Sequence, residues 1–574
     1  MNVIAAARAW IAQDPDPQTR AELLSLIAKH DVEALEERFS GSLEFGTAGL
    51  RGLLGAGPTR MNRITVARAT AGLCAWLKEQ IPDAVSRGIC VARDARRNSD
   101  VFERDVIEIA TGAGIPVAFF AHVAPTPVLA FAVVDQKAAA GVMITASHNP
   151  PGYNGYKVYW ENGAQIIPPH DRGIAREMQR VPSVDRIARL SMQEARQRGM
   201  LREIDSVRQE YIEAIASEFA PPKVHHPVRV AYTALHGVAG NTFLEVLARA
   251  GFHDVHCVPE QQTPDSHFPT VDFPNPEEPG TMDRVLSLAD EVDADLAIAN
   301  DPDGDRVGVA VCRRHEAEIL SGNDIGILLA DDLLSQYRGE AQPVVLSTIV
   351  SSPMLGPIAA RHGALWEQTL TGHKWIQNRA LELEREGSAF VFGYEEALGY
   401  APSKAVRDKD GISSALCLVN LTARLKASGQ DLLDAREALW REHGFCADRQ
   451  ISRRFEGSDA KVRMAEVVDG YRRHPPSAIG GKRVLAMADL ERKTRWTPAG
   501  ETPFVRYAES NVLIFELEGG HRAMVRPSGT EPKLKYYFYA VAPPTDTMHL
   551  AASQQAALSL LQGMVEDLVP SDRH

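Results

Sequence analysis

Cysteine is scarce and scattered in this 574-residue chain. Cys74, Cys90, Cys257, Cys312, Cys417 and Cys446 include no Cys-x-x-Cys pair. Neither a zinc ribbon nor a disulfide framework is suggested, and a reducing cytoplasm is the simplest home. Positive charge is in deficit: 62 Lys and Arg against 75 Asp and Glu give a formal net charge of -13. That sign disfavours nucleic acid and acidic membranes as partners, so an anionic substrate must meet a local basic pocket. Long uncharged runs are nearly absent. Ile109 to Val134 carries no Asp, Glu, Lys or Arg, but Pro116, Pro125 and Pro127 interrupt it, with Gly112 and Gly114 nearby. It predicts a helix end, a strand over 115–120, a loop and a new helix near Val128, not a membrane span. Met1 to Arg20 lacks the shape of a secretory leader, since Arg8 breaks its apolar run and Asp14 and Asp16 follow.

What is present is a soluble composition, 44% hydrophobic and 24% charged, in a chain too long for one core. Apolar runs alternate with helical patterns, which argues for α/β units. The run Ala138 to Ile144 reads as a strand buried on both sides and leads into Thr145-Ala146-Ser147-His148-Asn149-Pro150. A strand that ends in a small nucleophile and then turns can present Ser147 at a sheet edge. A turn or helix cap accounts for Thr145, Ser147 and Asn149 equally well on six residues alone.

The apolar strand Leu296 to Ala299 runs into Asn300-Asp301-Pro302-Asp303-Gly304-Asp305-Arg306. Three carboxylates so close repel one another unless a cation is present, and hard oxygens at this density suit Mg²⁺. An EF-hand is excluded: counting from Asp301, position six is Arg306 and position twelve is Cys312.

Other stretches are weaker signals. Glu44 to Gly52 places three glycines around Arg51; a connector and a ligand-approach loop are both compatible with it. Arg172 to Asp205 is polar and unpatterned and reads as the end of a domain. Pro259 to Gly280 reads as a long loop. His373 and Lys374 sit in a polar loop. Glu395 and Glu396 follow a strand and could hold vicinal hydroxyls or simply face solvent. Arg526-Pro527-Ser528-Gly529-Thr530-Glu531-Pro532-Lys533 offers a guanidinium, two hydroxyls and free backbone N–H groups, a plausible phosphate cradle that is not a Walker motif.

Five of these stretches, in this order, resemble the α-D-phosphohexomutase superfamily, the phosphoglucomutases and phosphomannomutases. Thr145 to Pro150 resembles its phosphoserine loop, Asp301 to Arg306 its metal loop, Glu395-Glu396 its sugar loop, Arg526 to Lys533 its phosphate loop, and Gly46 to Gly52 its N-terminal arginine loop. The resemblance spans about Glu44 to Tyr539. It implies an α/β fold of four domains, three related α/β domains and a C-terminal α+β domain around a central cleft. The expected spans are residues 1–205, 206–319, 320–445 and 446–574.

The resemblance also implies chemistry. Ser147 would carry a phosphoryl group in the resting enzyme. One Mg²⁺ would sit on Asp301, Asp303, Asp305 and the phosphoserine. Arg51 and Arg306 would stabilise the transferring group. Arg526, Ser528, Gly529 and Thr530 would hold the substrate phosphate, and Glu395, Glu396, His373 and Lys374 the sugar. Lys157 matches a family position proposed for general acid/base work, and His148 is the competing base. The expected activity is interconversion of glucose 1-phosphate and glucose 6-phosphate, activated by glucose 1,6-bisphosphate, in a cytoplasmic protein whose partners are small sugar phosphates. The sugar loop departs from many relatives: Tyr394 stands for a glycine and Ala397 for a serine, as in phosphopentomutase-like and bacterial members. Mannose and pentose phosphates therefore stay open as substrates. A Mg²⁺-dependent sugar phosphatase and a non-catalytic relative are the readings from other classes. Oligomeric state is undetermined.

Overall fold

The computed structural model describes residues 2–46, 49–220, 226–314, 316–455, 460–527 and 533–570. It divides into two compact units, Met1–Ile325 with Gly372–Asp431, and Gly326–Thr371 with Leu432–His574. Among the described residues, no helix is long and apolar enough to cross a membrane.

The first unit opens with three helices, Val3–Gln13, Pro17–Ala28 and Val32–Phe39, each started by an Asn or Asp whose side chain accepts a first-turn N–H. A six-stranded sheet follows, in the order Leu50–Leu53, Tyr153–Trp160, Ala140–Ile144, Ile89–Arg93, Val117–Phe119, Leu201–Glu203. Its last four strands are parallel, and the first two are antiparallel additions. Ala140–Ile144 is buried along its whole length, as its unbroken apolar run requires. The uncharged run resolves into strand Val117–Phe119 and helix Thr126–Asp135, whose Pro127 falls in the first turn, where no N–H is needed.

Arg172 to Asp205 carries regular elements that its polar composition does not announce. It holds the helices His170–Arg180 and Met192–Gln197 and the edge strand Leu201–Glu203. Few of its positions are apolar, but the close approach that places it needs none. A Cβ on Gly173 would stand 2.4 Å from the Trp76 ring, so helix His170–Arg180 lies directly on helix Arg63–Gln80.

A second sheet in this unit runs in the order Glu316–Ile319, Val307–Arg313, Leu296–Asn300, Val230–Thr233, Val255–Cys257. Leu296–Asn300 is fully buried and parallel to Val230–Thr233. The hairpin Ala389–Glu395 with Gly399–Ala401 and the largely buried helix Gly411–Lys426 complete the unit.

In the second unit, Pro343–Thr348 pairs in parallel with Leu365–Thr369. An antiparallel sheet runs in the order Phe445–Arg454, Lys533–Ala542, Arg522–Pro527, Leu513–Leu517, Lys482–Asp489, Thr494–Thr497, Gly500–Pro503. Residues from helices Ala460–Arg473 and Leu550–Leu568 share one core with it, including Val468, Phe515, Phe538, Leu561 and Met564. The chain is thus α/β with a β-rich C-terminal segment backed by helices, the class expected.

Candidate active site

Two buried strands end on the loops that matter. Ser147 lies three residues beyond Ala140–Ile144, and Asp301 immediately follows Leu296–Asn300. Both are carboxyl ends of parallel strands, where open α/β sheets place ligands.

Ser147 is 1% exposed and has φ 53°, the left-handed region that non-glycine residues seldom occupy. Its N–H donates to Thr145 Oγ1 at 2.8 Å, and its Oγ donates to Asp301 Oδ2 at 2.7 Å. His148 Nδ1 is 3.2 Å from the same Oγ. Arg96 fixes the turn from beneath: its guanidinium donates to the carbonyls of Ser147 (2.6 Å), Pro150 (3.0 Å), Tyr153 (3.3 Å) and Asn149. Arg96 is itself stacked on Phe268.

Asp301, Asp303 and Asp305 are fully buried, and one carboxylate oxygen from each lies within 4.8 Å of the others. Lys157 Nζ donates to Asp303 Oδ2 at 2.7 Å and Asp305 Oδ2 at 2.8 Å. Lys409 Nζ is 2.6 Å from Asp305 Oδ2, and Thr126 Oγ1 donates to Asp303 Oδ2 at 2.7 Å. The second oxygens, Asp303 Oδ1 and Asp305 Oδ1, are buried and accept no hydrogen bond. Burial opposes ionisation of Asp305, but Lys157, Lys409 and Arg306 outweigh it and hold the carboxyl below the usual range. Burial and the charges of Asp303 and Asp305 push Asp301 well above it. The two lysines thus pair with Oδ2 of Asp303 and Asp305 and leave both Oδ1 atoms without a hydrogen bond, with Arg306 Nε 3.9 Å from Asp305 Oδ1, while Ser147 Oγ meets the cluster at Asp301 Oδ2. That donor set fits a hard divalent cation such as Mg²⁺.

Arg306 spans this cluster and the sugar loop. Its N–H donates to Asp301 Oδ1 at 3.0 Å, its guanidinium to Ala397 O at 2.7 Å, and it lies 3.8 Å from Glu395 Oε1. Burial works against its charge, but Glu395, Asp305 and Glu277 raise its pKa above the ordinary value. Arg51 extends from strand Leu50–Leu53 and donates to Asn149 Oδ1 at 2.7 Å. Burial, only partly offset by Asp303, lowers it to about 10, so it stays cationic at neutral pH. His148 is held neutral by burial and by the Arg306 and Arg51 charges.

His373 is buried with Nε2 3.0 Å from Gly399 O, while Lys374 Nζ donates to Gly46 O at 3.0 Å. Glu395 is buried at the end of its strand, and Glu396 is half-buried. Ser147, His148, Lys157, Arg51, Arg306, Glu395, His373, Lys374 and the three aspartates thus all belong to the first unit. Arg526 lies in strand Arg522–Pro527 of the second unit, opposite Lys535. Ser528, Gly529 and Thr530 fall outside the described residues.

Three residues of this constellation carried no role in the sequence reading: Arg96, Thr126 and Lys409. The one available signal was position, since Arg93 to Asn98 puts three arginines just past a buried strand, and Asp408-Lys409-Asp410 directly precedes a helix.

Models of the phosphoglucomutase/phosphomannomutase α/β/α domains I, II and III match residues 42–184, 209–314 and 321–442. The chain belongs to the phosphoglucomutase/phosphomannomutase family, the α-D-phosphohexomutase superfamily, and is a phospho-sugar mutase by class. It is 34% identical to the phosphopentomutase of Mus musculus, over 97% of this chain and 93% of that protein. It is 33% identical to a phosphoglucomutase of Staphylococcus epidermidis, over 88% and 92%. Among solved structures, a putative phosphomannomutase from Thermus thermophilus superposes with a TM-score of 0.65 at 21% identity, over 92% of this chain and 98% of that one; it speaks to the fold.

Proposed function

We propose that the chain moves a phosphoryl group between the C1 and terminal hydroxyls of an aldose phosphate through Ser147, and that ribose 1-phosphate and ribose 5-phosphate are its preferred pair. The observation that carries the transfer chemistry is Ser147 Oγ at 2.7 Å from Asp301 Oδ2, where it meets the three-aspartate cluster. Asp301, Asp303, Asp305 and Ser147 Oγ would hold Mg²⁺, which when bound withdraws charge from the phosphoryl oxygens. Arg51 and Arg306 supply positive charge beside the serine turn for the equatorial oxygens of the group in transfer.

Lys157 has both carboxylate partners at hydrogen-bond distance and serves as a fixed cation. His148, with Nδ1 3.2 Å from Ser147 Oγ, is the candidate proton acceptor by position. In the first half-reaction a sugar hydroxyl attacks the serine phosphorus, the P–Oγ bond breaks, and the hydroxyl proton passes to the base. In the second, Ser147 Oγ attacks the other phosphoryl group of the reoriented bisphosphate, that P–O(sugar) bond breaks, and the proton returns to the sugar oxygen. Glu395, fixed beside Arg306, is placed to accept from sugar hydroxyls.

Ribose is favoured by the phosphopentomutase likeness over nearly the whole chain. Glucose 1-phosphate and glucose 6-phosphate are the second reading, supported by the staphylococcal phosphoglucomutase. The test is an isomerase panel on the 1-phosphates of ribose, glucose, mannose and glucosamine with Mg²⁺ and trace bisphosphate, phosphate release being read in parallel. Ribose 1-phosphate should show the highest kcat/KM with little free phosphate. Ser147→Ala should lose most turnover and the phosphoryl mass increment. Undiminished turnover in that variant defeats the phosphoserine assignment, and dominant phosphate release makes the protein a phosphatase.

A further inference from the structure

The loop bearing Asp301, Asp303 and Asp305 is gripped by segments that have no place in the transfer chemistry. Three successive carbonyls of the loop each accept a backbone N–H from a different segment. Val238 N–H donates to Pro302 O at 2.8 Å, Thr126 N–H to Asp303 O at 2.8 Å, and Gly411 N–H to Gly304 O at 3.2 Å. Thr126 and Gly411 each open a helix, Thr126–Asp135 and Gly411–Lys426, and first-turn N–H groups have no acceptor within their own helix. Within the loop, Gly304 N–H donates to Asp301 O at 2.9 Å, and Asn300 Nδ2 donates to Arg306 O at 2.7 Å. The carbonyls of Asp301, Pro302, Asp303, Gly304 and Arg306 are thereby all engaged.

Two glycines make so close an approach possible. A Cβ on Gly237 would stand 2.4 Å from Pro302 Cα, and one on Gly411 would stand 2.3 Å from Arg306 O. Neither position admits a side chain unless the loop moves.

The carboxylates are engaged on one side as well. Asp303 Oδ2 accepts from Thr126 Oγ1 at 2.7 Å and from Lys157 Nζ at 2.7 Å. Asp305 Oδ2 is held by Lys157 and Lys409, and Asp301 Oδ1 accepts the Arg306 N–H. Each aspartate thus gives one oxygen to a protein donor. What remains is Asp301 Oδ2, which meets Ser147 Oγ, with Asp303 Oδ1 and Asp305 Oδ1, which accept no hydrogen bond. A carboxylate held in this way can meet a cation through one oxygen only.

That count bears on which cation is taken. Ca²⁺ collects about six to eight oxygens, often from bidentate carboxylates and backbone carbonyls, in a flexible shell. Mg²⁺ is bound through few carboxylates and keeps several waters. We propose, on the assignment of the three aspartates as cation ligands, that this grip on the loop selects Mg²⁺ over Ca²⁺, with Thr126 and Gly237 as positioning residues. Thr126 acts through Asp303, withholding its second oxygen and its carbonyl. Gly237 acts through Pro302, letting the backbone of another segment seat the loop.

The test is calorimetric titration of the full chain with magnesium chloride and, separately, calcium chloride at matched ionic strength, with thermal melts alongside. The native chain should bind Mg²⁺ more tightly than Ca²⁺. Thr126→Val keeps the shape and removes the hydroxyl, so Asp303 Oδ2 is held by Lys157 alone and turns more freely toward a cation. The ratio of the Ca²⁺ Kd to the Mg²⁺ Kd should fall several-fold in Thr126→Val and be restored in Thr126→Ser. Gly237→Ala displaces Pro302 and should lower the same ratio, chiefly by weakening Mg²⁺. A merely structural defect lowers Tm and weakens both cations alike, leaving the ratio unmoved. If Gly237→Ala does not fold, the two Thr126 variants decide the outcome. A ratio unchanged in Thr126→Val, or a native chain that prefers Ca²⁺, overturns the selection while leaving the aspartate site intact. Absence of Mg²⁺ binding to the native chain overturns the aspartate assignment itself. These readouts need no turnover.

Discussion

Replacing Arg96 by lysine keeps the charge and removes the fork. In the native chain the guanidinium spans four carbonyls of the serine turn, those of Ser147, Asn149, Pro150 and Tyr153. A point-charge ammonium reaches at most two of them in one pose. A hydrogen bond from a charged donor contributes about 1.5–3 kcal/mol, so losing two removes about 3–6 kcal/mol from the clamp before relaxation. Against this stands the cost of holding Ser147 in the left-handed region, about 1–3 kcal/mol. The clamp outweighs the strain in the native turn, and in Arg96→Lys the surplus shrinks to what two hydrogen bonds supply, about 3–6 kcal/mol before relaxation against about 1–3 kcal/mol of strain. The turn is then held less tightly, and Ser147 Oγ spends less time against Asp301. A displacement of about 1 Å at a reacting atom costs roughly 100-fold in rate, or about 2.7 kcal/mol. The expected result is a kcat about 100-fold lower with KM for the sugar phosphate within about threefold. Steady-state kinetics would be paired with the single-turnover rate of Ser147 phosphorylation by a bisphosphate, and thermal melts would show the folded fraction. A kcat within about threefold of the native value would refute the argument, as would a loss explained entirely by unfolded protein.

Lys409→Met breaks a buried ion pair with Asp305 and should destabilise the chain by about 3–5 kcal/mol in metal-free urea melts. Added Mg²⁺ should shrink that deficit, because the cation and Lys409 neutralise the same cluster; an equal deficit with and without Mg²⁺ would show that they do not. Glu103 gives a pH signature. Burial, only partly countered by Arg93, raises its carboxyl from the ordinary 4.5 to about 7. A raised folded-state value means stability that is complete below pH 4.5 and is lost as pH climbs toward 7. The loss is at most about 3 kcal/mol at 1.36 kcal/mol per unit. Glu103→Gln should flatten this slope in melts run across that range, and an unchanged slope would assign it to other groups.

Much of the site was legible in the chain because its chemistry is locally dense. Three aspartates within five residues at the end of an apolar strand need no fold to suggest a cation, whereas the local residues of Ser147 suit a cap as well as a nucleophile and only the resemblance of its loop to a phosphoserine loop set the two apart. The strands Ala140–Ile144 and Leu296–Asn300 were equally plain, since full burial demands an unbroken apolar run. Helix His170–Arg180 was not plain: it is placed by a glycine against a tryptophan ring, and its exposed face dominates its composition.

Tertiary structure alone decided how the charges are balanced. Lys157 is 146 residues from Asp303, Lys409 follows Asp305 by more than a hundred positions, and Thr126 reaches Asp303 from the start of helix Thr126–Asp135. Nothing in the local sequence of any of them requires a carboxylate partner. Pairing over such separations is set by which strand ends the two sheets bring together, and each buried charge is stable only once that has happened. The sequence therefore determined which loops could do chemistry. The packing of the sheets determined which carboxylate oxygens the lysines take and which are left for a cation.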